Sequence, residues 1–253
     1  MAIFYIMKKY GKKIIETLFK RRTECATICS RIASKTEVDS DRSDIRVFEV
    51  GVSAEQYGDY EQGTRTTIQE AESARLIDIA KRHGLYIDQS QWGAFGDRKR
   101  LPSGESIVYL SEDGKTVTKL RNPFAKSTIK RMHAQDAIYE HVIHNILFPA
   151  TRYQFKGISQ DACGVRIVLT QKYISDIYGT PEQKEIDQYL VTGLGLTVEN
   201  RYYYGNDYIA ITDVFADSDN VLADRGNLLF IDPIIQFKKP APIVIEYYYK
   251  RLQ

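Results

Sequence analysis

Nowhere in the 253 residues is there an apolar run of the about 18 residues that a membrane span needs, so no transmembrane helix is expected. The opening stretch from Ala2 to Met7 is too short for the apolar region of a signal peptide, and no cleavage region follows it. Cysteine is scarce. Cys25, Cys29 and Cys163 form neither an even disulfide set nor a metal-ligand pattern, which makes a reducing, cytoplasmic setting the simplest expectation. An excess of one charge is missing too. A net charge of +2 offers no strong field for a polyanion. The basic runs, Arg98-Lys99-Arg100 and the amino-terminal segment, are short, which argues against nucleic acid as the partner. His141 and His144 lie three apart on one helical face. No carboxylate or cysteine at helical or strand spacing completes a zinc set with them, so they read as core or surface histidines.

What is present is ordinary for a soluble globular chain: 43% hydrophobic and 27% charged residues, enough for one large domain or two lobes. Tyrosine stands out, with 18 copies and the clusters Tyr202-Tyr203-Tyr204 and Tyr247-Tyr248-Tyr249, which read as aromatic packing in strands and at lobe edges. Residues 1–22 carry seven lysines and arginines beside a thin apolar stripe interrupted by Gly11. This is read as a helix packed on its own domain with a solvated basic face, the alternative being contact with an anionic surface. Ile45 to Val52 reads as a strand. A capping box of Thr67 with Glu70 opens a helix over 67–83, and Gly84 stops it.

Strand pairing begins after residue 100. Ser106–Leu110 and Thr116–Leu120 flank the turn Ser111-Glu112-Asp113-Gly114-Lys115 and read as a hairpin. Strand alternation puts Lys119 with Val117 on one face. A lysine aimed into a sheet face needs an anion, and a polyphosphate is the candidate. Before this hairpin, Pro102-Ser103-Gly104 offers a flexible turn whose backbone can approach a phosphate. A helix is expected over 128–147. Its Asp136 and Glu140 are both suitable partners for Lys119, with Glu140 preferred as the nearer to the following strand. Tyr153–Gly157 and Val165–Thr170 read as two more strands, and Gln171-Lys172-Tyr173-Ile174 as the connection that follows. Pro181 opens another helix, ended by Gly193 and Gly195.

The chemistry concentrates in the stretch from Asp213 to Ile234. Val221-Leu222 and Leu228 to Ile231 flank the turn Asp224-Arg225-Gly226-Asn227, a tight hairpin. Its open end brings Asn220 towards Asp232. Two oxygen ligands supplied in this way suit Mg2+, which keeps waters and takes further ligands from phosphates. Asp213 or Asp217, just upstream, is placed to orient an attacking hydroxyl, the anatomy of phosphoryl transfer.

The order of these parts resembles the protein-kinase-like fold in a minimal bacterial form. It is most similar to the kinase-like domain of polyvalent proteins of phages and conjugative mobile elements in Bacteroides-type genomes. The resemblance covers residues 86–240. It implies an α+β, two-lobed fold with a reduced carboxy-terminal lobe. The expected division is an extension over 1–85, a small sheet lobe with one helix over 86–174, and the reduced lobe over 175–253. It also implies an ATP and Mg2+ site. Ser103, Gly104 and Glu105 match the phosphate-covering loop, Lys119 the phosphate-binding lysine, Glu140 its ion-pair partner, Gln171 to Tyr173 the hinge, and Asn220 with Asp232 the metal pair. The sequence departs from the pattern in the catalytic loop. Phe215 stands where the family places its aspartate, five before the asparagine. The nearest acids are Asp213, seven before Asn220, and Asp217, three before it, so either a two-residue insertion lets Asp213 serve or the base is absent. Little chain follows Asp232, which argues against a conventional peptide-docking lobe. The expected function is an ATP-dependent phosphotransferase. The alternative is a non-catalytic module that holds a nucleotide or a protein partner.

Overall fold

A computed structural model describes residues 65–99, 106–124, 134–174, 180–200, 203–224 and 226–252. Helix α1 runs Arg65–Arg82 and buries Leu76, Ile79 and Ala80. Gly84, at φ +67°, turns the chain out of it. The Leu85 amide then donates to the Ala80 carbonyl at 2.7 Å, the closure of a Schellman-type end. The released segment adds to a sheet edge at once. Ile158 N donates to Leu85 O and Ile87 N to Ile158 O, at 2.9 and 2.8 Å. A 3-10 helix at Gln89–Phe95 follows, capped by Asp88 with Gln91 in a capping box.

The first sheet contains β1 (Asp97–Lys99), β2 (Ser106–Leu110), β3 (Thr116–Arg121), β4 (Tyr153–Asp161) and β5 (Gly164–Lys172), all antiparallel, in the order β1-β2-β3-β5-β4. The β2–β3 turn forms for local reasons. The Asp113 carboxylate accepts from the Ser111 hydroxyl at 2.6 Å and the Lys115 amide at 3.1 Å. Strand β3 is therefore central, and its two faces differ. Leu120 and Val168 join Trp92 and Tyr109 in a small cluster, where the Trp92 indole donates to Ser159 Oγ at 2.8 Å. Lys119, Leu169 and Phe155 lie in register on the opposite face. That face meets helix α2 (Ala134–Leu147), whose Ala137, Ile138, Tyr139, Val142 and Ile143 are all buried. Its Glu140, His141, His144 and Asn145 are buried too, so the helix lies inside the core and brings polar groups into it.

Beyond β5, helix α3 (Gln183–Asp187) passes directly into a π-helical segment, Gln188–Gly193. Strands β6 (Thr197–Asn200), β7 (Tyr203–Gly205), β8 (Ile209–Thr212) and β11 (Ile234–Phe237) form a second antiparallel sheet in the order β11-β8-β7-β6. Between β8 and β11 the chain makes the hairpin β9 (Val221–Asp224) and β10 (Asn227–Phe230). Helix α4 (Ala241–Arg251) closes the fold, with Val244, Ile245 and Tyr248 buried beside α2. One main core runs from Leu76 in α1 through α2 to Tyr248 in α4. The described helices and antiparallel sheets make an α+β architecture, and among the described residues no helix is long and apolar enough to cross a membrane.

Several sequence expectations are extended or corrected. The two strands expected over 153–157 and 165–170 run longer, because a bulge between Phe155 and Gly157 lets β4 continue past its bend. The Tyr247-Tyr248-Tyr249 triplet is helical, although tyrosine favours strands. Pro240 starts the turn and Tyr248 is fully buried, so packing overrides propensity. The helix expected from Thr128 is described only from Ala134. The amino-terminal helix and the 45–52 strand lie outside the described residues.

Gly157 tests the edge joint between β4 and the segment after α1. A Cβ there would lie 2.2 Å from the Leu85 carbonyl oxygen, whereas one on Gly93 would meet nothing within 4 Å. Gly157→Ala is expected to cost about 1–3 kcal/mol in chemical denaturation, against a small effect from Gly93→Ala. Equal effects would remove the close approach as the cause.

Candidate active site at the junction of the sheets

Two ladders converge on one point. Thr212 pairs with Ile234 at the end of β8–β11, and Val221 pairs with Phe230 at the end of β9–β10. The linkers between these pairs, residues 213–220 and 231–233, therefore run beside one another. The Ile231 amide donates to the Asn220 carbonyl at 2.8 Å and extends the hairpin by one step. Asp213, Asn220 and Asp232 belong to these two linkers, so hydrogen-bonded ladders set their proximity.

Side chains from the first sheet and α2 fix the shorter linker. The Phe230 carbonyl accepts from Thr151 Oγ1 at 2.5 Å and from His144 Nε2 at 3.2 Å. The Ile231 carbonyl accepts from the Tyr153 hydroxyl at 2.6 Å and from Gln171 Nε2 at 3.3 Å. Phe230 also stacks on Phe148, with ring centroids 4.5 Å apart. Asp232 leaves this clamp facing Lys119, whose Nζ is 3.6 Å from Asp232 Oδ2. Tyr153 stands between them. Its oxygen accepts from Lys119 Nζ at 3.1 Å, and its hydroxyl lies 3.0 Å from Asp232 Oδ1.

Position in the protein sets the charge states. The Lys119 side chain is 10% exposed and that of Asp232 42%. Burial pulls the Lys119 ammonium below its ordinary range, opposed by the attraction of Asp232 and reinforced by Arg121. Burial would raise the Asp232 carboxyl, but Lys119, Arg121 and the Tyr153 hydrogen bond outweigh it and hold the group at about 2. Asp232 is thus a carboxylate, aimed at a partly open surface.

The longer linker folds on itself. Asn220 Nδ2 donates to Asp213 Oδ2 at 2.6 Å, and Ser218 Oγ to the Asp213 carbonyl at 3.0 Å. Gln183 Oε1 accepts from the Ala216 amide at 3.0 Å, which ties the loop to α3. Asp213 has φ +63°, the one non-glycine residue in the left-handed region among the described residues. Such backbone costs about 1–3 kcal/mol and persists where surrounding bonds enforce it. Asp217 is exposed on the outer turn of the same loop.

The structure therefore brings Lys119, Asp232, Asn220 and Asp213 to one junction and leaves Asp217 outside it. The expected Lys119–Glu140 pair is replaced. Glu140 Oε1 lies 3.6 Å from Arg121 Nη2 and accepts from the Ile235 amide at 3.3 Å. The reason is register: Arg121 is two residues beyond Lys119 on the same strand face, and it takes the buried carboxylate. Gln171 is buried, and its side chain braces Thr151 O and Ile231 O from the Lys119 side of the sheet. Tyr173, 41% exposed, is anchored by its amide to the Lys115 carbonyl at 2.8 Å. Ser103, Gly104 and Glu105 lie outside the described residues. Sequence reasoning missed Tyr153, Thr151 and Arg121. The one available signal was a tyrosine opening a buried strand, since a buried phenol needs a partner.

A family model describing the serine/threonine/tyrosine kinase found in polyvalent proteins matches residues 69–239. The chain belongs to that family. No curated protein and no solved structure matches it. The match to this kinase-like domain starts at Gln69, within α1, earlier than the resemblance read from residue 86 onwards.

His144, packed against Tyr153 at 4.6 Å between ring centroids, gives the site an acid limit. Burial lowers its ring from 6.5 to about 4, against weaker opposing pulls from Asn145 and the Phe230 carbonyl. The unfolded chain takes up this proton first, so stability is full above about 6.5 and falls as the pH drops towards 4. The loss expected is on the order of 3 kcal/mol. Denaturation midpoints of His144→Gln across this window should fall less steeply than wild type, and a parallel fall would assign the acid sensitivity elsewhere.

Proposed function

We propose that this kinase-like domain is an ATP- and Mg2+-dependent phosphotransferase whose nucleotide lies between two lobes, one carrying Lys119 and the other the Asp213–Asp232 junction. The observation that carries this reading is the convergence of a buried lysine, an ionised aspartate and an asparagine-bound aspartate on one junction. Lys119 binds the phosphates, with Ser103 and Gly104 as further phosphate contacts. Gln171 to Tyr173 form the edge against which the base rests.

The donor set fits a hard cation. Asp232 presents a carboxylate, and Asn220, whose amide nitrogen is committed to Asp213, presents its remaining oxygen. Bound there, Mg2+ would neutralise charge on the transferred phosphoryl group. Asp213 orients the acceptor hydroxyl and takes its proton. Its bond to Asn220 and its enforced backbone support this role over Asp217 and accommodate the two extra residues of the loop. Arg121 and Glu140 support the site from beneath. The family description points to serine, threonine or tyrosine hydroxyls on a protein partner as acceptors. A reducing, cytoplasmic setting agrees with the free, exposed Cys163.

Calorimetric titration with a non-hydrolysable ATP analogue, with and without Mg2+, tests the binding half of this reading. Wild type should bind with a Mg2+-dependent gain. Lys119→Ala should weaken binding in both conditions, and Asp232→Ala should erase the gain. Unchanged affinity in Asp232→Ala would end the metal assignment.

Phosphate transfer tests the other half. Asp213→Ala should retain nucleotide affinity and lose turnover by about 10²–10⁴-fold, the span expected for a general base, while Asp217→Ala keeps wild-type turnover. Nucleotide binding without any transfer by wild type would instead identify a binding module.

A further inference from the structure

We propose that Tyr153 is a positioning residue that keeps Lys119 and Asp232 in place while their mutual ion pair is exchanged for a metal-bound nucleotide. The inference rests on the nucleotide reading above. At 3.6 Å, Lys119 and Asp232 attract each other without a close hydrogen bond. Their hydrogen-bonded connection runs through the phenol. Its oxygen accepts from Lys119 at 3.1 Å, and its single proton faces two acceptors, Asp232 Oδ1 at 3.0 Å and the Ile231 carbonyl at 2.6 Å.

Nucleotide binding breaks this ion pair. Lys119 must turn its charge to phosphate and Asp232 its carboxylate to a cation. Lys119 is held among protein atoms, where losing a partner is costly, and Asp232 gives up its nearest cation. The phenol covers both losses. Its oxygen remains an acceptor for one lysine proton. Its own proton stays on the Ile231 carbonyl when Asp232 Oδ1 is taken, by rotation about one bond. No covalent bond is made or broken in the process, and Lys119 and the Tyr153 hydroxyl each keep a partner.

Tyr153 can serve two moving groups because it is itself fixed. Its backbone N–H donates to Asn145 Oδ1, and its C=O accepts from Asn145 Nδ2, both at 2.8 Å. Its ring is held by His144 and His141, at centroid distances of 4.6 and 5.4 Å. Lys119 Nζ also lies 5.1 Å from the ring centroid, so the ring face helps to retain the cation. Phenylalanine would keep this packing and lose the exchange.

Tyr153→Phe, titrated with the same ATP analogue with and without Mg2+, tests the inference. The Mg2+-dependent gain should shrink about 10–100-fold, the usual cost of losing an outer-shell partner, with the melting temperature little changed. A gain equal to wild type would overturn the inference. So would an equal loss with and without Mg2+, which marks a merely structural hydroxyl. If wild type itself binds neither form, the nucleotide reading falls and takes this one with it. Should Y153F fail to fold, wild-type protein with 13C-labelled tyrosine rings supplies the readout. The Tyr153 resonance, located by its contacts with the His141 and His144 rings, must move when Mg2+ and the analogue are added. A static resonance in nucleotide-bound protein would overturn the proposal.

Discussion

A lysine on the inner face of a central strand is the constraint from which this structure follows. Lys119 is almost wholly buried, and an uncompensated charge there would cost several kcal/mol. The fold answers by bringing a carboxylate from more than a hundred residues later in the chain, and it holds that carboxylate by its preceding backbone. Thr151, His144, Tyr153 and Gln171 all bond to the carbonyls of Phe230 and Ile231. These partners come from α2, the turn after it, β4 and β5. The first sheet and the later hairpin are thus joined through the two peptide units before Asp232.

Much of this was legible because it is local. The β2–β3 turn carries its own hydrogen bonds, strand alternation fixes the face of Lys119, and the β9–β10 hairpin follows from its turn. The choice of ion-pair partner was not legible. Lys119 and Arg121 share a face, and so the strand offers two cations to one helix carboxylate. Only the register and angle of α2 decide between them, and Glu140 goes to Arg121. Tyr153 was hidden for the same reason, since its three polar partners lie far away in sequence. Helix α4 was missed because three adjacent tyrosines favour a strand, and only burial against α2 reverses that preference.

The linker from Asp213 to Asn220 departs from the family's pattern. Phe215 occupies the family's aspartate position, and the sequence offers Asp213, through a two-residue insertion, in its place, with Asp217 as the other nearby acid. Geometry separates them. Asp213 leaves β8 at a point set by the Thr212–Ile234 pair, and its carboxylate turns back onto Asn220. Asp217 instead lies exposed on the turn between Asp213 and Asn220. The left-handed backbone at Asp213 is the strain that accompanies this closure, enforced by Ser218, Asn220 and Gln183.

Rigidity and exchangeability are divided between different groups at the junction. Backbone ladders and the clamp on Phe230 and Ile231 set where Asp213, Asn220 and Asp232 stand. The charges themselves are balanced in two pairs, Lys119 with Asp232 and Arg121 with Glu140, of unequal depth. Arg121 and Glu140 are both deeply buried, and Glu140 also receives the Ile235 amide, so separating them would strand charges away from water. Asp232 keeps 42% of its side chain exposed and can take a new partner without that cost. The outer pair is therefore the one suited to open for a ligand, and the inner pair the one suited to hold the sheet against α2 while it does.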